Sequence, residues 1–197
     1  MSLANGFYEI PKGKIAAIVT YLEMHEKPPL RPGPLEPAWQ LDKVEQPDIE
    51  WYRTLYRRVG EDWLWFSRLL LSDAELNEVL QDPAIEFHVF RVDGSDEGIL
   101  ELDFRQRGEC ELAFFGLSPS MLGRGAGRWL MNRALEIAWS RPIERLWLHT
   151  CTFDHPGAVG FYERSGFTPY ARKVEVADDP RLIEKAAPDA ARHIPII

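Results

Sequence analysis

The sequence predicts a single α/β domain spanning residues 1–197. Its 197 residues are 45% hydrophobic, which supplies enough apolar material for one sizeable core. Short apolar runs typical of strands alternate along the chain with segments of helical period. Past the middle of the chain, a strand-like run enters a glycine-rich loop and a helix-like run leaves it. Together these observations favour a sheet combined with helices in one folding unit.

The first part of the chain predicts one strand and two helices. The apolar, β-branched run 15–22 predicts the first strand, and a proline-rich loop follows at 27–37. Residues 49–59 place their apolar side chains on one helical stripe. The dense apolar block 63–71 is interpreted as core. Ser72 begins a segment with the spacing of a capping box, which predicts a further short helix.

The remaining chain predicts three consecutive strands and then a helix, a strand, a helix and a strand. The strands are expected at 85–92, 98–105 and 109–117, and the later elements at 125–140 (helix), 145–150 (strand), 156–165 (helix) and 170–176 (strand). In the strand 109–117, alternation is expected to place Cys110, Leu112 and Phe114 on one face and Glu109, Glu111, Ala113 and Phe115 on the other. Residues 178–197 are either loop or a C-terminal extension packed on the domain.

The segment 117–131 is the most informative because glycines at 123, 125 and 127 separate the strand-like run from the helix-like run. Glycine tolerates positive φ and lets backbone N–H groups approach an anion, and the helix that follows adds unpaired N–H groups. The pattern therefore indicates a phosphate site, with a flexible turn as the alternative. The P-loop motif fails because no Lys follows the glycines, and the dinucleotide fingerprint fails on its glycine spacing.

This loop resembles the coenzyme pyrophosphate loop of the GNAT superfamily of N-acyltransferases. Gly125 and Gly127 occupy the two small positions of that motif. Leu117 and Pro119 fall at its apolar-x-Pro, where the fourth strand of the family ends. Leu122 is a departure, because it stands where the family usually has Gln or Arg. One side-chain contact to the pyrophosphate is therefore missing, whereas backbone contacts remain available.

A second motif supports the same resemblance. A later helix of the family reads Asn-x-x-Ala-x-x-x-Tyr-x-x-x-Gly-Phe, and this chain matches it with Ala158, Tyr162, Gly166 and Phe167. His155 stands in place of the Asn that contacts the pantetheine arm, and the preceding Asp154 is expected to cap the helix. The resemblance is clearest over residues 85–176. It implies a mixed sheet, flanked by helices, whose central parallel strands splay apart to admit the pantetheine arm.

The resemblance also implies acetyl-CoA as a cosubstrate and a set of residues that hold it. These residues are Phe115, Gly116, Leu117, Leu122, Gly123, Arg124, Gly125, Ala126, Gly127, Arg128, His155 and Tyr162. Further arginines at 133, 141 and 145 either solvate a helix face or attract the phosphates. No Cys/His spacing supports a metal site, and no metal is expected.

The catalytic assignments rest partly on the family and partly on position. Tyr162 is the expected general acid, because the matching Tyr of the family lies near the sulfur and a phenol holds its proton until a thiolate forms. Packing on the sheet is its alternative role. Backbone N–H near Leu117 is the expected oxyanion donor, because splayed strands leave amides unpaired. Glu111 is the expected general base, since it lies six residues before Leu117 and so on the same face. An ion-paired or solvent-facing Glu111 is the alternative, with Glu101 and His149 as reserve bases.

The sequence is thus expected to encode an N-acetyltransferase that moves an acetyl group from acetyl-CoA directly to a primary amine in a ternary complex. The alternative is an acyl-CoA sensor with the same fold and no transfer, which the departures at Leu122 and His155 favour. The absence of a P-loop motif and of a dinucleotide fingerprint disfavours a nucleotide-binding protein, and a net charge of −8 disfavours a nucleic-acid-binding protein. The acceptor stays open between a small amine, an antibiotic, an amino acid, a protein N-terminus and a lysine. An apolar acceptor pocket is the second interpretation of residues 63–66.

Composition agrees with a cytoplasmic enzyme. The two cysteines, Cys110 and Cys151, are expected to be buried, reduced and structural. No apolar stretch is long enough to span a membrane, and the first residues lack the pattern of a secretion signal. Neither a nucleic acid nor a membrane is expected as a partner, and a homodimer is left open.

Overall fold

A computed structural model describes residues 3–197. Its strands are β1 (Lys14–Met24), β2 (Trp39–Val44), β3 (Ile85–Val92), β4 (Ser95–Asp103), β5 (Glu109–Leu117), β6 (Arg145–Cys151) and β7 (Thr168–Asp178). Its helices are α1 (Ile49–Gly60), α2 (Ser67–Leu70), α3 (Asp73–Leu80), α4 (Ala126–Ala138) and α5 (Ala158–Glu163). Single 3₁₀ turns cover Glu61–Trp63 and Pro119–Met121.

The seven strands form one mixed sheet in the order β2-β3-β4-β5-β6-β1-β7. Every neighbouring pair is antiparallel except β5 and β6, which are parallel. The predicted α/β fold with a mixed sheet flanked by helices is therefore confirmed. The parallel pair requires a crossover connection, and α4 provides it on one face of the sheet.

The sequence did not predict one strand at the start of the chain, and it did not predict the position of the other in the sheet. The strand β2 was not predicted, because its alternation of apolar Trp39 and Leu41 with polar Gln40 and Asp42 is short and follows a proline-rich loop. The strand β1 was predicted, but it does not pair with β2. It lies between β6 and β7, where residues 19–24 pair with β6 and residues 14–23 pair with β7.

The two faces of the sheet bury separate cores. On the α4 face, helices α4 and α5 pack on a core that includes Leu100, Cys110 and Leu148. On the α1 face, helices α1 and α3 pack on a core that includes Phe87, Val89 and Ile99. The predicted capping box begins α3, where Ser72 N donates to Glu75 Oε2 (2.8 Å) and Glu75 N donates to Ser72 Oγ (3.3 Å). This cap fixes the residue at which α3 begins.

A β-bulge in β5 overturns the predicted alternation of that strand. Glu101 of β4 pairs with Phe114, whereas the next residue pairs with Leu112, so Ala113 has no partner on β4. After the bulge, Phe114 lies on the α1 face and Phe115 on the α4 face. A simple period of two would place Phe114 on the same face as Cys110 and Leu112. Because of the bulge, Phe114 lies on the opposite face.

The same bulge separates Glu111 from Leu117. Leu117 belongs to the core of the α4 face together with Cys110 and Leu112. Glu111 alternates with these two residues and so lies on the α1 face. The predicted common face of Glu111 and Leu117 is therefore wrong, because one extra residue in a strand moves every later side chain to the opposite face.

The C-terminal residues 179–197 form an extension packed on the domain. Ala190 and Ala191 join Ile15 and Ala17 of β1 in a third buried cluster on the α1 face. Asp179 and Arg181, each 2% exposed at the side chain, form an ion pair under this extension. The Arg181 guanidinium also donates to the carbonyl of Ala190 (3.2 Å) and to that of Ile194 (2.8 Å). Arg181 thus connects two later residues of the extension, Ala190 and Ile194, to Asp179 directly after β7.

Removing that arginine tests whether it holds the extension. We expect Arg181→Met to lower the free energy of unfolding by about 3–5 kcal/mol, because it leaves the Asp179 carboxylate buried without its partner. Arg192→Met is the matched control in the same extension, since the Arg192–Asp189 pair is exposed and a pair of that kind adds little stability. Chemical denaturation of the two variants makes the comparison. Equal effects of the two substitutions would show that the buried pair is dispensable.

Candidate active site

The parallel strands β5 and β6 open a cleft in the centre of the sheet. They pair only where residues 109–111 face residues 145–147. Beyond that point β5 continues to Leu117 and β6 to Cys151 without mutual pairing. The predicted splay is present, and it leaves backbone N–H and C=O groups of β5 without strand partners on that side. A cavity of about 620 Å³ fills the opening.

One end of the cavity, here called the loop end, is formed by the predicted glycine loop. Its lining residues are Leu122, Gly123, Gly125, Gly127, Arg128 and Arg164. Gly123 and Gly125 have φ of +73° and +83°, the left-handed region that favours glycine. A Cβ on Gly125 would also lie 2.6 Å from Pro34 of the proline-rich loop. Because α4 begins directly after Gly125, its unpaired first-turn N–H groups and its positive dipole end give this end of the cavity the polarity that suits an anion.

The corner between β5 and the loop is held by Glu97 of β4. Ser118 N donates to the Glu97 carbonyl (2.8 Å), and the hydroxyls of Ser118 and Ser120 donate to the Glu97 carboxylate. Arg58 of α1 pairs with the same carboxylate. These bonds hold the pKa of Glu97 below its usual range despite its burial. The loop therefore starts from a rigid anchor on the neighbouring strand.

The cationic groups near the loop end are only partly those that the sequence suggested. Arg128 lines the cavity and stacks over the Phe161 ring at 5.0 Å. Its burial and the nearby charges of Arg31 and Arg164 lower its pKa. Arg31 also donates a hydrogen bond to the Arg164 carbonyl (3.0 Å), so these two residues lie side by side near Arg128. A group of mutually repelling cations favours binding of a multiply charged anion. Arg31 and Arg164 were not predicted, because they lie far apart in sequence, in the proline-rich loop and after α5.

The other predicted arginines and one loop residue face elsewhere. The arginines that pair with carboxylates outside the cavity are Arg133 (with Glu136), Arg141 (with Glu86) and Arg145 (with Glu23 and Glu109). Arg124 contacts the sulfur of Met121, and Ala126, the first residue of α4, is fully buried. Neither Arg124 nor Ala126 lines the cavity.

Tyr162 lines the same cavity as Phe115, Gly116 and Leu117, so the structure brings these four predicted site residues together. The Tyr162 ring packs against Phe115 (6.2 Å between centroids) and Phe167 (6.0 Å). Within residues 3–197, its hydroxyl makes no hydrogen bond to another protein group. Burial and the nearby carboxylate of Asp154 raise the pKa of Tyr162 above its usual value. The phenol therefore keeps its proton across the working pH range and remains free to donate it.

His155 and Asp154 stand where β6 turns toward α5. His155 lines the cavity, and its Nδ1 accepts a hydrogen bond from Gly157 N (3.0 Å). Asp154 does not cap α5, because the N-cap residue of that helix is Gly157, which has no side chain to form a cap. Its carboxylate instead accepts hydrogen bonds from the groups Thr150 Oγ1 (2.6 Å), Cys151 N (2.9 Å) and Trp65 Nε1 (3.2 Å). Asp154 thus ties the end of β6 to the segment after α1.

The other end of the cavity, here called the aromatic end, is built by the segment after α1. It is lined by Trp63, Trp65, Phe66, His149, Phe153 and Glu175. The block 63–71 was interpreted as core, and this holds only for its leucines at 64 and 69, which are buried. Trp63, Trp65 and Phe66 are half-buried and line the cavity, whereas their use as an acceptor pocket stays a prediction.

Cys151 also lines the cavity, whereas Cys110 is fully buried. Both are free thiols. The expectation that both are buried structural residues is thus wrong for Cys151, which is half-buried. Burial raises the pKa of Cys151 to about 11, so the thiol is not ionised near neutral pH and is a poor nucleophile.

Glu111 does not line the cavity, but His149 does. The two side chains lie on adjacent strands of the α1 face, with Glu111 Oε1 3.6 Å from His149 Nε2. Burial and the neighbouring carboxylates of Asp103 and Glu101 raise the pKa of Glu111 to about 7. Although 47% of the His149 side chain is exposed, partial desolvation lowers its pKa, which favours the neutral imidazole. A neutral imidazole at the cavity backed by a carboxylate of raised pKa is suited to accepting a proton.

Glu101, the other reserve base, is locked in the core of the α1 face. Its side chain has no exposed surface, and its carboxylate binds Arg68 and the hydroxyl of Tyr52 (2.7 Å). Burial is the largest influence on Glu101 and raises its pKa, against the opposing charge of Arg68. Glu101 does not line the cavity, so it has no path to a bound amine.

Within residues 3–197 no group of three or more His, Cys, Asp or Glu side chains is placed to hold a metal ion. Over the same residues, no helix is both long enough and apolar enough to cross a membrane.

Comparisons with known proteins agree with this geometry. The model of the acetyltransferase (GNAT) family matches residues 41–167. A mycothiol acetyltransferase of Beutenbergia cavernae is 39% identical over 61 residues, which make up 31% of this chain and 20% of that protein. An uncharacterized N-acetyltransferase of Methanocaldococcus jannaschii is 25% identical over 140 residues, covering 66% of this chain and 61% of that protein.

A solved structure shares the fold. The GCN5-related N-acetyltransferase from Sphaerobacter thermophilus superposes with a TM-score of 0.63 at 14% sequence identity, over 83% of this chain and 52% of the other. At that identity the likeness concerns the fold alone. The chain spans less than two thirds of the length of each of these three proteins.

Proposed function

Since this chain belongs to the acetyltransferase (GNAT) family, we propose that it transfers an acetyl group from acetyl-CoA to a primary amine, by direct attack in a ternary complex. In this reaction the amine nitrogen bonds to the thioester carbonyl carbon and the carbon–sulfur bond breaks. The amine gives up one proton and the departing thiolate takes one, so that an amide and free coenzyme A result. The observation that carries the proposal is the cavity between β5 and β6, which joins an anion site, a protonated Tyr162 and a neutral His149.

The residues present fit acetyl-CoA. The backbone at Gly123, Gly125 and Gly127 and the guanidinium of Arg128 would hold the phosphates. The unpaired edge of β5 at residues 115–117 would pair with the amides of the pantetheine arm, and an N–H group there would stabilise the oxyanion. The coenzyme supplies an activated acyl group as a thioester. The missing Gln or Arg at Leu122 is offset by Arg31 and Arg164, which add charge that the motif does not record.

The proton movements are assigned to three side chains. Tyr162 holds a proton at its Oη and donates it to the departing sulfur. His149 accepts the amine proton, directly or through a water molecule, and the Glu111 carboxylate stabilises the resulting imidazolium. Cys151 takes no part as a nucleophile, because its raised pKa keeps it protonated. No covalent enzyme intermediate is therefore required.

An acyl-CoA sensor without transfer activity is the second candidate, motivated by Leu122 and His155. One experiment separates the two. Thermal-shift measurements with acetyl-CoA, coenzyme A, ATP and NAD should show that the first two stabilise the protein. A second assay then measures thiol release from acetyl-CoA with a panel of amines. Stabilisation without thiol release for any amine would favour the sensor. Stabilisation by ATP or NAD instead would point to a nucleotide-binding protein. A cytoplasmic location remains a prediction from the sequence, and the oligomeric state stays open.

Replacing Gly127 with alanine tests the loop end without disturbing the fold. A Cβ at this position would lie 3.9 Å from the nearest Phe161 atom, an ordinary contact. The alanine would nevertheless intrude on the surface that the phosphates must approach. We expect the Kd for coenzyme A, measured by calorimetry, to rise at least about tenfold, or ~1.4 kcal/mol. Stability should stay the same or rise slightly, since alanine favours a helix.

Leu122→Ala is the matched control, because Leu122 lines the same end of the cavity through its side chain. It should change the affinity for coenzyme A by less than about twofold if the backbone makes the main contacts. Gly125→Ala is less informative, since it would strain a residue at φ +83° and press on Pro34. Equal small effects of Gly127→Ala and Leu122→Ala would remove the proposed phosphate site.

A further inference from the structure

The two ends of the cavity differ in charge. Among residues 3–197, the Arg and Lys side chains that line it are Arg128 and Arg164, and both belong to the loop end. The aromatic end and its border carry two carboxylates, Asp154 and Glu175, and the imidazoles of His149 and His155. The Glu175 carboxylate, on the edge strand β7, has no ion-pair partner among residues 3–197. A ligand that occupies the aromatic end therefore meets negative and neutral groups.

The aromatic end is also rigid. Trp65 is wedged between two glycines, where a Cβ on Gly60 would lie 2.5 Å from its ring and a Cβ on Gly116 would lie 2.8 Å from it. Its ring packs against Tyr56 (5.5 Å) and Phe114 (5.3 Å), and its indole N–H donates to Asp154. Leu64, next to it, is held at φ +50°, a conformation that a leucine adopts only under constraint.

The wall beside Trp65 is supported from behind. Leu64 and Phe153 are buried in the cluster formed by β1 and the C-terminal extension, and Phe66 packs against the same cluster. Trp63 makes an edge contact with His155 at 5.6 Å between ring centroids. The half-buried rings of Trp63, Trp65 and Phe66 thus form a preformed apolar surface, which a flat apolar group can cover without reorganisation.

We propose that the acceptor is an arylalkylamine, a primary amine carried by an aromatic body that has no carboxylate. The inference rests on the proposed acetyl transfer and names the substrate class of that site. The aromatic body covers the rings of Trp63 and Phe66, while the amine approaches His149 between the carboxylates of Asp154 and Glu175. A carboxylate on the acceptor would be placed near like charges with no cation in the cavity lining to meet it, which is unfavourable. Lys173, whose charge acts on His149, does not line the cavity, and its ammonium lies over the Tyr21 ring at 4.3 Å.

Matched pairs of amines test this proposal directly. The probes are 2-phenylethylamine against phenylalanine and tryptamine against tryptophan, with spermidine and lysine as aliphatic amines. Thiol release should give a kcat/KM for each arylalkylamine at least about a hundredfold above that of its carboxylated partner, because like-charge contacts are costly. The aliphatic amines should fall below the arylalkylamines as well. Equal or better turnover of phenylalanine or spermidine would overturn the proposal and leave acetyl transfer intact.

Two variants separate the contributions of charge and apolar surface. Glu175→Lys should improve kcat/KM for phenylalanine relative to 2-phenylethylamine by at least about tenfold, because it gives the carboxylate a cation. Glu78→Lys, on the exposed face of α3, makes the same charge change away from the cavity and should have no such effect. Trp63→Ala should raise KM for 2-phenylethylamine, and Trp63→Phe should largely restore it. A preference unchanged in both Glu175→Lys and Trp63→Ala would contradict the proposal.

Binding measurements keep the proposal distinct from the transferase assignment. If acetyl-CoA binds but no amine releases thiol, the proposed transfer fails. Calorimetry on the protein saturated with coenzyme A then compares 2-phenylethylamine with phenylalanine. Tighter binding of 2-phenylethylamine supports the assigned ligand class even for a protein without turnover. Equal affinities, or tighter binding of phenylalanine, overturn it.

Discussion

The Tyr162→Phe variant is expected to turn over ~10² to 10⁴ times more slowly than the wild-type protein, with nearly unchanged affinity for acetyl-CoA. The substitution removes one hydroxyl and keeps the ring, which packs between Phe115 and Phe167. The hydroxyl makes no hydrogen bond to any protein group of residues 3–197, so its loss leaves no protein partner unsatisfied. The loss should therefore fall on kcat, because the proton is needed only as the thiolate departs.

The pH dependence of this loss distinguishes a proton donor from a packing residue. Burial and Asp154 raise the pKa of Tyr162, so the phenol is protonated throughout the range from pH 6 to pH 9. The ratio of wild-type to variant rates should then be constant over that range. Tyr170→Phe removes a phenol hydroxyl outside the cavity and should leave kcat unchanged. Unaltered turnover of Tyr162→Phe, when chemistry limits the rate, would mean that solvent supplies the proton.

The features that could be predicted from the sequence are local ones. The glycine loop, the Tyr162 helix and the capping box at Ser72 each depend on residues a few positions apart, and the physical demands of a turn, a helix face or a cap fix their spacing. The same holds for β5, whose bounds of 109–117 match the prediction. The splayed strands were implied by the family resemblance, and in the structure residues of the loop and of the Tyr162 helix line the cavity between β5 and β6.

The features that could not be predicted depend on contacts between distant segments. Arg31 joins Arg128 and Arg164 only because the proline-rich loop crosses the start of α4, where the Arg31 carbonyl accepts a hydrogen bond from Asn132 (2.8 Å). The place of β1 between β6 and β7 is decided by pairing across more than a hundred residues. No local pattern records either arrangement.

The bulge at Ala113 shows how a small irregularity changes a functional assignment. A strict period of two puts Glu111 with Leu117, and the bulge puts them on opposite faces. The same bulge aims Phe114 at the aromatic end and Phe115 at Tyr162. Glu111 consequently acts, in our proposal, through His149 rather than beside the oxyanion site. The alternation of apolar and polar residues in β5 does not reveal one unpaired residue, since the same sequence is compatible with a strand that has the bulge and with one that lacks it.

The Glu111→Gln variant is expected to be less active and more stable than the wild-type protein. Without the carboxylate, the imidazolium of His149 loses its partner, and turnover at pH 7 should fall about 10²-fold. In the wild type, the rate should decline as pH falls below about 7, where Glu111 becomes protonated. The glutamine variant should lose that decline, leaving only the one set by the lowered pKa of His149. A pH–rate profile of kcat makes this measurement.

The gain in stability has a definite sign and pH range. Folding raises the pKa of Glu111 to about 7, well above its value in an unfolded chain, so the folded state holds a proton that the unfolded state releases. The proton bound to Glu111 therefore contributes to the free energy of unfolding. This contribution is fully present below about pH 4.5 and is lost as pH rises through about 7. At pH 8 the ionised carboxylate is destabilising, and glutamine should raise the free energy of unfolding by as much as ~3 kcal/mol. At pH 4.5 the two proteins should be nearly equal.

Two further variants locate the base. Glu109→Gln, two residues earlier on the same face, removes a carboxylate that pairs with Arg145 (3.0 Å), and it should gain no stability at pH 8. His149→Ala should lose as much activity as Glu111→Gln, and the double variant should lose little more, because the two side chains act as one unit. Independent, additive losses would show that Glu111 works through water without His149. A Glu111→Gln protein that keeps both its rate and its acidic limb would assign the base to His149 alone.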